Sequence, residues 1–238
     1  KAAFTYSGQP FTAKVTARNA DGVTTINHDG RSNGLTAPSG PAQEQVIRMA
    51  LERAEVAPHQ VQYVETHGTG TSLGDPIEVL ALNRVMGEGR AAENRLAIGS
   101  VKTNVGHLEA AAGMASLIKV VLAIQHGQIP PHLHLETLNP YVPWDNVPLD
   151  IPTRLTPWPA PPDGRRLAGV SSFGMSGTNV HLVVEEAPPP ASKVLAAVER
   201  PLHLLSLSAR DEAALAALVA KYAEFLKGHP EANPADLC

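Results

Sequence analysis

The sequence predicts an α/β fold in which a partly parallel sheet is covered by helices on both faces. Two observations carry this. Apolar strand-like runs alternate three times with helical periodicity, a pattern that favours parallel pairing and two-sided burial. One of the helical runs, "GHLEAAAGMASLIKVVLAIQHG", is apolar nearly all round, as a helix inside a protein is.

The elements follow in order. An extended, polar-alternating stretch through residues 13–30 begins "AKVTARNADG" and ends in Asn, Asp and Gly turn signals. "GPAQEQVIRMALERAEV" spaces Val46, Ile47, Ala50, Leu51 and Ala54 as one helix face, with Pro41 suited to the first turn. "VQYVET" reads as a strand. The helix "DPIEVLALNRVMG" follows, with Asp75 as N-cap, Pro76 at the first helical position and Gly87 at its end. "RLAIGSV" is a third strand, and the apolar helix comes next, its alanines and Gly113 allowing close approach. Beyond it, "QIPPHLHLETLNPYVPW" is a Pro-punctuated connection, and "LDIPTRLTPW", "RRLAGVSSFG" and "TNVHLVVEEA" read as strands. "APPPAS" marks a linker, which puts a boundary near residue 188. A short strand, "LHLLSLS", then precedes an amphipathic helix. There Ser208 with Asp211 resembles a capping box, Leu215, Leu218, Val219, Tyr222 and Leu226 form a stripe, and Gly228 ends it.

Composition excludes several classes. The 238 residues are 43% hydrophobic and 18% charged, the profile of a soluble globular chain. Nineteen basic against twenty-three acidic residues give a net charge of −4, and no basic block stands out, so no nucleic acid is expected as partner. The longest apolar stretch, Ala110 to Leu122, is interrupted by Ser116 and Lys119 and is too short to span a bilayer, so no membrane is expected either. The start, Lys-Ala-Ala-Phe, carries no signal-peptide pattern. Cys238 is the single cysteine, which excludes an internal disulfide and fits a reducing, cytoplasmic setting.

The chemistry-bearing residues cluster after strands. "VETHGTGTSLGDPIE" sets His67 at a strand end, followed by Gly68, Thr69, Gly70 and Thr71. The glycine spacing fails both the P-loop and the dinucleotide fingerprint, so a nucleotide is not expected. The turn can instead hold a thiol arm through backbone N–H groups and the threonine hydroxyls. "GSVKTNVGHLEAAAG" places His107 at the start of the apolar helix, with Lys102 shortly before it. Strand carboxyl ends are where sites form in open α/β sheets. Two neutral imidazoles aimed at one oxygen stabilise an enolate, and a helix N-terminus at His107 would keep it neutral. The same spacing equally suits two core histidines that each cap a turn. A third loop, "SSFGMSGTNVHL", again follows a strand; it either faces the same pocket or is a run of ordinary turns. His132, His134 and Glu136 alternate and would share a strand face. They are bracketed by prolines without a second ligand cluster, so no metal is expected. No Gly-x-Ser-x-Gly nucleophile elbow occurs.

Four ordered segments, "DGRSNGLTAPSGPAQEQVIR", "VETHGTGTSLGDPIE", "IGSVKTNVGHLEAAAGMASLIKVVLAI" and "SSFGMSGTNVHLVVEEAP", resemble the β-ketoacyl synthase domain of modular polyketide synthases from about Ile26 to Pro190. The tail "RPLHLLSLSARDEAALAALVAKYAEFL" resembles the start of the linker that joins a ketosynthase to its acyltransferase. The resemblance implies the C-terminal half of a thiolase-like αβαβα fold over residues 1–188 and a small α+β linker segment over 189–238. Residues 1–25 match the family's approach strand poorly. The resemblance further implies decarboxylative Claisen condensation of an acyl group with a malonyl-type extender on acyl carrier protein. His67 and His107 match the family's catalytic histidines and Lys102 the lysine of their polar network. Thr69 and Thr71 match the contacts to the phosphopantetheine arm, which is a substrate carrier and not a bound cofactor. Gly174 and Met175 match the loop at the acyl pocket, Met175 standing where fatty-acid relatives have a gating phenylalanine. Ser116 stands where those relatives have a glutamate near the lysine. The family's nucleophilic cysteine belongs to the first half and has no counterpart here, so the chain alone should not condense. Its partners would be acyl carrier protein, the first ketosynthase half and a downstream acyltransferase. Family dimers form mostly through the first half, which leaves a homodimer of this chain open. Two alternatives stand beside this: a non-catalytic half-fold or scaffold, and a fatty-acid-type ketosynthase.

Overall fold

The computed structural model describes residues 2–6, 9–15, 25–30, 37–91, 93–161, 164–187 and 204–230. The chain divides into two units, Lys1–Pro188 and Pro189–Cys238.

The first unit opens with a hairpin of β1 (Ala2–Tyr6) and β2 (Gln9–Val15), followed by β3 (Thr25–His28). Helix α1 (Gly40–Ala54) starts where the sequence puts it. Pro41 lies in its first turn, the Ser39 hydroxyl accepts from the Ala42 N–H, and a left-handed Glu55 ends it. Strand β4 (Tyr63–Glu65) leads into α2 (Gly74–Leu82), which continues through a π-turn to Gly87. The expected cap is corrected here. Leu73, not Asp75, holds the cap position, and Asp75 sits in the first turn, where it accepts from the Gly70 N–H at 3.1 Å. Its short carboxylate thus closes the glycine-threonine turn and not the helix.

After β5 (Leu96–Gly99) the apolar helix expected from Gly106 starts later, and a short helix that was not expected precedes it. A four-residue α3 (Lys102–Val105) stops at Gly106 (φ 74°), and α4 (Ala112–His126) begins after a 3-10 turn over Glu109–Ala111. His107 therefore lies between α3 and α4, two residues before the 3-10 turn, and not in the first turn of α4. Nor is α4 wholly inside. Ala112, Ser116, Val120, Ala123 and Ile124 are buried, while Met114, Ile118 and Leu122, one turn apart, are 51%, 52% and 43% exposed. Among the described residues only one side of this helix is packed against the sheet.

The remaining strands are β6 (Gln128–Ile129), β7 (Leu149–Asp150), β8 (Thr156–Pro157), β9 (Leu167–Phe173) and β10 (Thr178–Glu185). The main sheet runs β1-β2-β10-β9-β4-β5-β7, with β3 also on β10. Its β9-β4-β5-β7 part is parallel and its β10 side antiparallel, so the partly parallel sheet of the sequence reading is found. Alternate side chains feed two cores. Val64, Leu96, Ile98 and Val183 pack with α1 and α2. Tyr63, Ala168, Val170 and Val184 pack with α4.

In the second unit the described part is coil from 204 to 211 followed by α5 (Glu212–Gly228). The strand expected at "LHLLSLS" is not formed over its described residues, where Leu204 is 82% exposed and has no ladder partner. Asp211, not Ser208, caps α5 by accepting from the Ala214 N–H at 2.8 Å. The predicted stripe lies on α5, but none of its residues is buried. No helix among the described residues is long and apolar enough to cross a membrane.

Candidate functional site

Three neighbouring parallel strands, β9, β4 and β5, end on the same side of the sheet, and each delivers a side chain to one place. The chain leaving β4 is held to β5: the Thr66 N–H and hydroxyl both donate to the Gly99 carbonyl, at 2.8 and 2.9 Å. The backbone then turns at Gly68 (φ +44°), packed so closely that a Cβ there would lie 2.6 Å from Thr66 Oγ1 and 2.9 Å from Ser100 Cβ. The Ser100 hydroxyl donates to the Gly68 carbonyl, joining this turn to the one after β5.

Glu78, from α2, reaches back under the turn. Its two carboxylate oxygens accept the N–H groups of His67 and Gly68 at 2.8 and 2.9 Å. The group is buried, and desolvation pushes its pKa up to about 7 against the lowering effect of those two bonds. The sequence reading missed this residue. Its signal was an acid in the first turns of a helix that starts just after the histidine turn.

His67 and His107 come together, with ring centroids 5.6 Å apart and planes at 84°. Phe173, from the end of β9, lies edge-on to His67 at 5.8 Å. Burial, then the charge of Lys102, then His107 lower the His67 pKa to about 4, so this ring is neutral near pH 7. The His107 Nδ1 accepts from the Glu109 N–H at 2.9 Å, which assigns its ring proton to Nε2. Lys102 is half-buried. Desolvation lowers its pKa, while Glu78, Glu65 and Asp75 act to raise it. The neutral His67 imidazole, the His107 ring and the Lys102 side chain at one set of strand ends can hold a developing oxyanion.

The hydroxyls of Thr69 and Thr71 lie 3.5 Å apart, and Thr71 Oγ1 also accepts from the Gly74 N–H. Thr69 and Lys102 line a cavity of about 660 Å³ together with Leu138, Tyr141 and Trp144. Gly174 opens a tight turn between β9 and β10, its N–H donating to the Thr178 carbonyl at 2.7 Å, and Met175 beside it is 80% exposed. Phe173, the residue just before that turn and not named by the sequence reading, is the one whose ring lies against His67. Buried Asn179 ties the turn to β3 by donating to Asp29 and Asn27, at 2.7 and 3.1 Å.

The alternating His132, His134 and Glu136 do not share a strand face, because their segment is not a strand and His134 takes a left-handed conformation (φ 59°). No group of three or more potential ligands is arranged to hold a metal among the described residues.

Residues 22–136 match the model of the β-ketoacyl synthase C-terminal domain, and residues 139–237 that of the ketoacyl-synthetase C-terminal extension. The chain is 51% identical over 205 residues to erythronolide synthase EryA3 of Saccharopolyspora erythraea, covering 86% of this chain and 6% of that protein. It is 56% identical over 161 residues to a phenolphthiocerol/phthiocerol polyketide synthase polypeptide of Mycobacterium tuberculosis, covering 68% of this chain and 8% of that one. Among solved structures it is similar to the oxazolomycin ketosynthase domain OzmH KS7 of Streptomyces albus JA3453, with a TM-score of 0.68 and 42% identity over 89% of this chain and 37% of that one. A ketosynthase from module 6 of the bacillaene synthase of Bacillus subtilis 168 gives 0.67 and 39%, over 90% and 36%. The chain thus spans under a tenth of these two curated relatives and somewhat over a third of the two solved domains. Its helix–sheet–helix layers are what the C-terminal half of a thiolase-like ketosynthase fold supplies.

Proposed function

The chain belongs to the β-ketoacyl synthase family, as the C-terminal half of a modular polyketide synthase domain, and we propose that it supplies the decarboxylation and oxyanion site of a condensing enzyme. The observation that carries this is the perpendicular His67–His107 pair, one ring neutral and the other with its proton on Nε2, beside the charge of Lys102.

In this reading a malonyl-type thioester arrives on the phosphopantetheine arm of acyl carrier protein, along the hydroxyls of Thr69 and Thr71. Its terminal carboxylate leaves as CO2, and the bonding pair forms the thioester enolate. Imidazole N–H groups of His67 and His107 hold the enolate oxygen, a fixed-donor stabilisation that needs no reorganisation. Lys102 adds positive potential and disfavours protonation of His67. The enolate carbon then attacks an acyl thioester on a cysteine of the first ketosynthase half. A C–C bond forms, and the cysteine thiolate leaves. The only cysteine of this chain is Cys238, in the linker segment, so condensation requires that other half. The exposed Met114, Ile118 and Leu122, with exposed His107 nearby in sequence, support a face that the first half covers. Gly174 and Met175 border the acyl pocket, the methionine acting as a soft gate. Residues 1–188 form the ketosynthase half and 189–238 begin the linker to a downstream acyltransferase, in the cytoplasm.

The test joins this chain to a first half bearing the cysteine and measures CO2 release from malonyl-acyl carrier protein, then condensation. Removing either donor, by His67→Ala or His107→Ala, should slow decarboxylation by about 10²–10³-fold. Unchanged rates in both variants would refute the assignment and favour a scaffold role.

A further inference from the structure

A second charged cluster lies inside the sheet–α4 core, and the condensation chemistry makes no use of it. Glu65, the last residue of β4, has a side chain with 0% exposure, and its partner Lys119 has 9%. One carboxylate oxygen, Oε2, accepts from the Tyr63 hydroxyl at 2.6 Å and from Lys119 Nζ at 2.8 Å. The other, Oε1, accepts from the Val101 backbone N–H. Lys119 Nζ also stands 5.6 Å from the Tyr63 ring centre. The neighbouring strand leaves room for the group: a Cβ on Gly99 would come within 2.9 Å of the Tyr63 hydroxyl and 3.6 Å of the Lys119 ammonium.

A buried ion pair is seldom more stabilising than apolar side chains of equal volume, so the cluster calls for an explanation other than stability. Its connections supply one. The three donors come from β4, from α4 and from the turn after β5, and all converge on one carboxylate. Glu65 stands two residues before His67, and Val101 immediately before Lys102. A single side chain therefore spans the two backbone segments that carry the site, and α4 fixes it from behind.

We infer that Glu65, clamped by Lys119 and Tyr63, is a positioning residue that holds the Val101–Lys102 turn at a set distance from His67. The inference rests on the ketosynthase reading only in taking His67 and Lys102 as the working groups. The groups that face His67 are Lys102, His107, Phe173 and, through its backbone, Glu78. Among these, Lys102 is the cation whose charge reaches the His67 ring, so the His67 titration reports how near Lys102 is held.

The experiment is an NMR titration of the His67 ring in the full chain, with its ring carbon labelled. The main variant, E65L/K119M, removes both charges together, conserves core volume and withdraws the acceptor from Val101. Lys102 and His107, and neither Glu65 nor Lys119, are the charges that shift His67, so an upward shift comes from displacement or hydration of the Lys102 turn. His67 should then titrate about one unit above its wild-type value, toward the ordinary histidine range. K119R, which keeps the clamp, should titrate as wild type. A His67 titration unchanged in a folded E65L/K119M protein would overturn the inference and leave the cluster as packing. E65D provides the second arm in case the double variant does not fold. It keeps the charge but shortens the reach to Val101, and it should shift His67 upward as well; no shift there counts equally against the role. None of these readouts depends on condensation, so a failed decarboxylation assay and a failed positioning role remain distinguishable.

Discussion

Replacing Gly68 by alanine tests whether the histidine turn is built as tightly as its contacts indicate. Two costs add. At φ +44° an L-residue loses about 1 kcal/mol relative to glycine, partly offset by a stiffer unfolded chain. The added methyl would also stand 2.6 Å from Thr66 Oγ1 and 2.9 Å from Ser100 Cβ. The first is anchored on the Gly99 carbonyl and the second is a Cβ fixed by its own backbone, so neither yields cheaply. Overpacking of that kind costs about 1–3 kcal/mol, giving about 2–4 kcal/mol in total. Gly70→Ala is the control. Its φ is +73° and no atom lies within 4 Å of the added carbon, so only the backbone cost of about 1 kcal/mol or less applies. Urea unfolding followed by tryptophan fluorescence suits the comparison, because both tryptophans, Trp144 and Trp158, lie in the first unit. Gly68→Ala should lower the midpoint well beyond Gly70→Ala. Equal midpoints would refute the steric argument and mean that the turn relaxes around an added carbon.

Two further predictions follow from burial. His181, on β10, is fully buried, its Nδ1 3.0 Å from the hydroxyl of Ser171 on β9, and desolvation lowers its pKa to about 3. The unfolded chain binds a proton near pH 6.5 and the folded one only near 3. Stability is therefore retained above 6.5 and lost as pH falls between those values, by about 5 kcal/mol at the limit. His181→Asn should flatten that part of the pH–stability curve, and an unchanged acid slope by denaturant titration would contradict the assignment. The exposed stripe of Met114, Ile118 and Leu122 should make the isolated chain self-associate and bind apolar dyes. Ile118→Lys with Leu122→Glu should reduce both, whereas a wild-type chain that scatters light as a clean monomer and binds no dye would remove the argument for a covering partner.

What the residues encode locally was legible before any fold was known. Pro41 starts α1, and Gly68 and Gly70 turn the chain after β4, because first-turn prolines and left-handed turns depend on a few neighbouring residues. The same logic failed where a local signal had two uses. Asp75 is as good a turn-closing acceptor as a cap, and the run from Gly106, whose composition alone reads as helix, passes through a 3-10 turn before α4 begins at Ala112. The resemblance named His67, His107 and Lys102, and the structure brings the two rings together with the charge of the third close by.

By itself the sequence determined the succession of β4, α2, β5 and α4, the three glycine-rich turns and the identity of the polar residues on them. Only tertiary structure decided what those residues meet. Parallel pairing of β9, β4 and β5 sets three strand ends side by side, so His67, His107 and Phe173 converge from distant parts of the chain. Glu78 holds the histidine turn and Glu65 joins it to the next because helices packed on opposite faces of the sheet aim Glu78 and Lys119 at them. The neutral state of His67 and the raised pKa of Glu78 arise mainly from loss of water, a quantity fixed by packing and not by neighbours in sequence. The open stripe on α4 has the same origin: its residues are apolar in the sequence, but which side of the helix lacks a partner is known only once the layers are assembled.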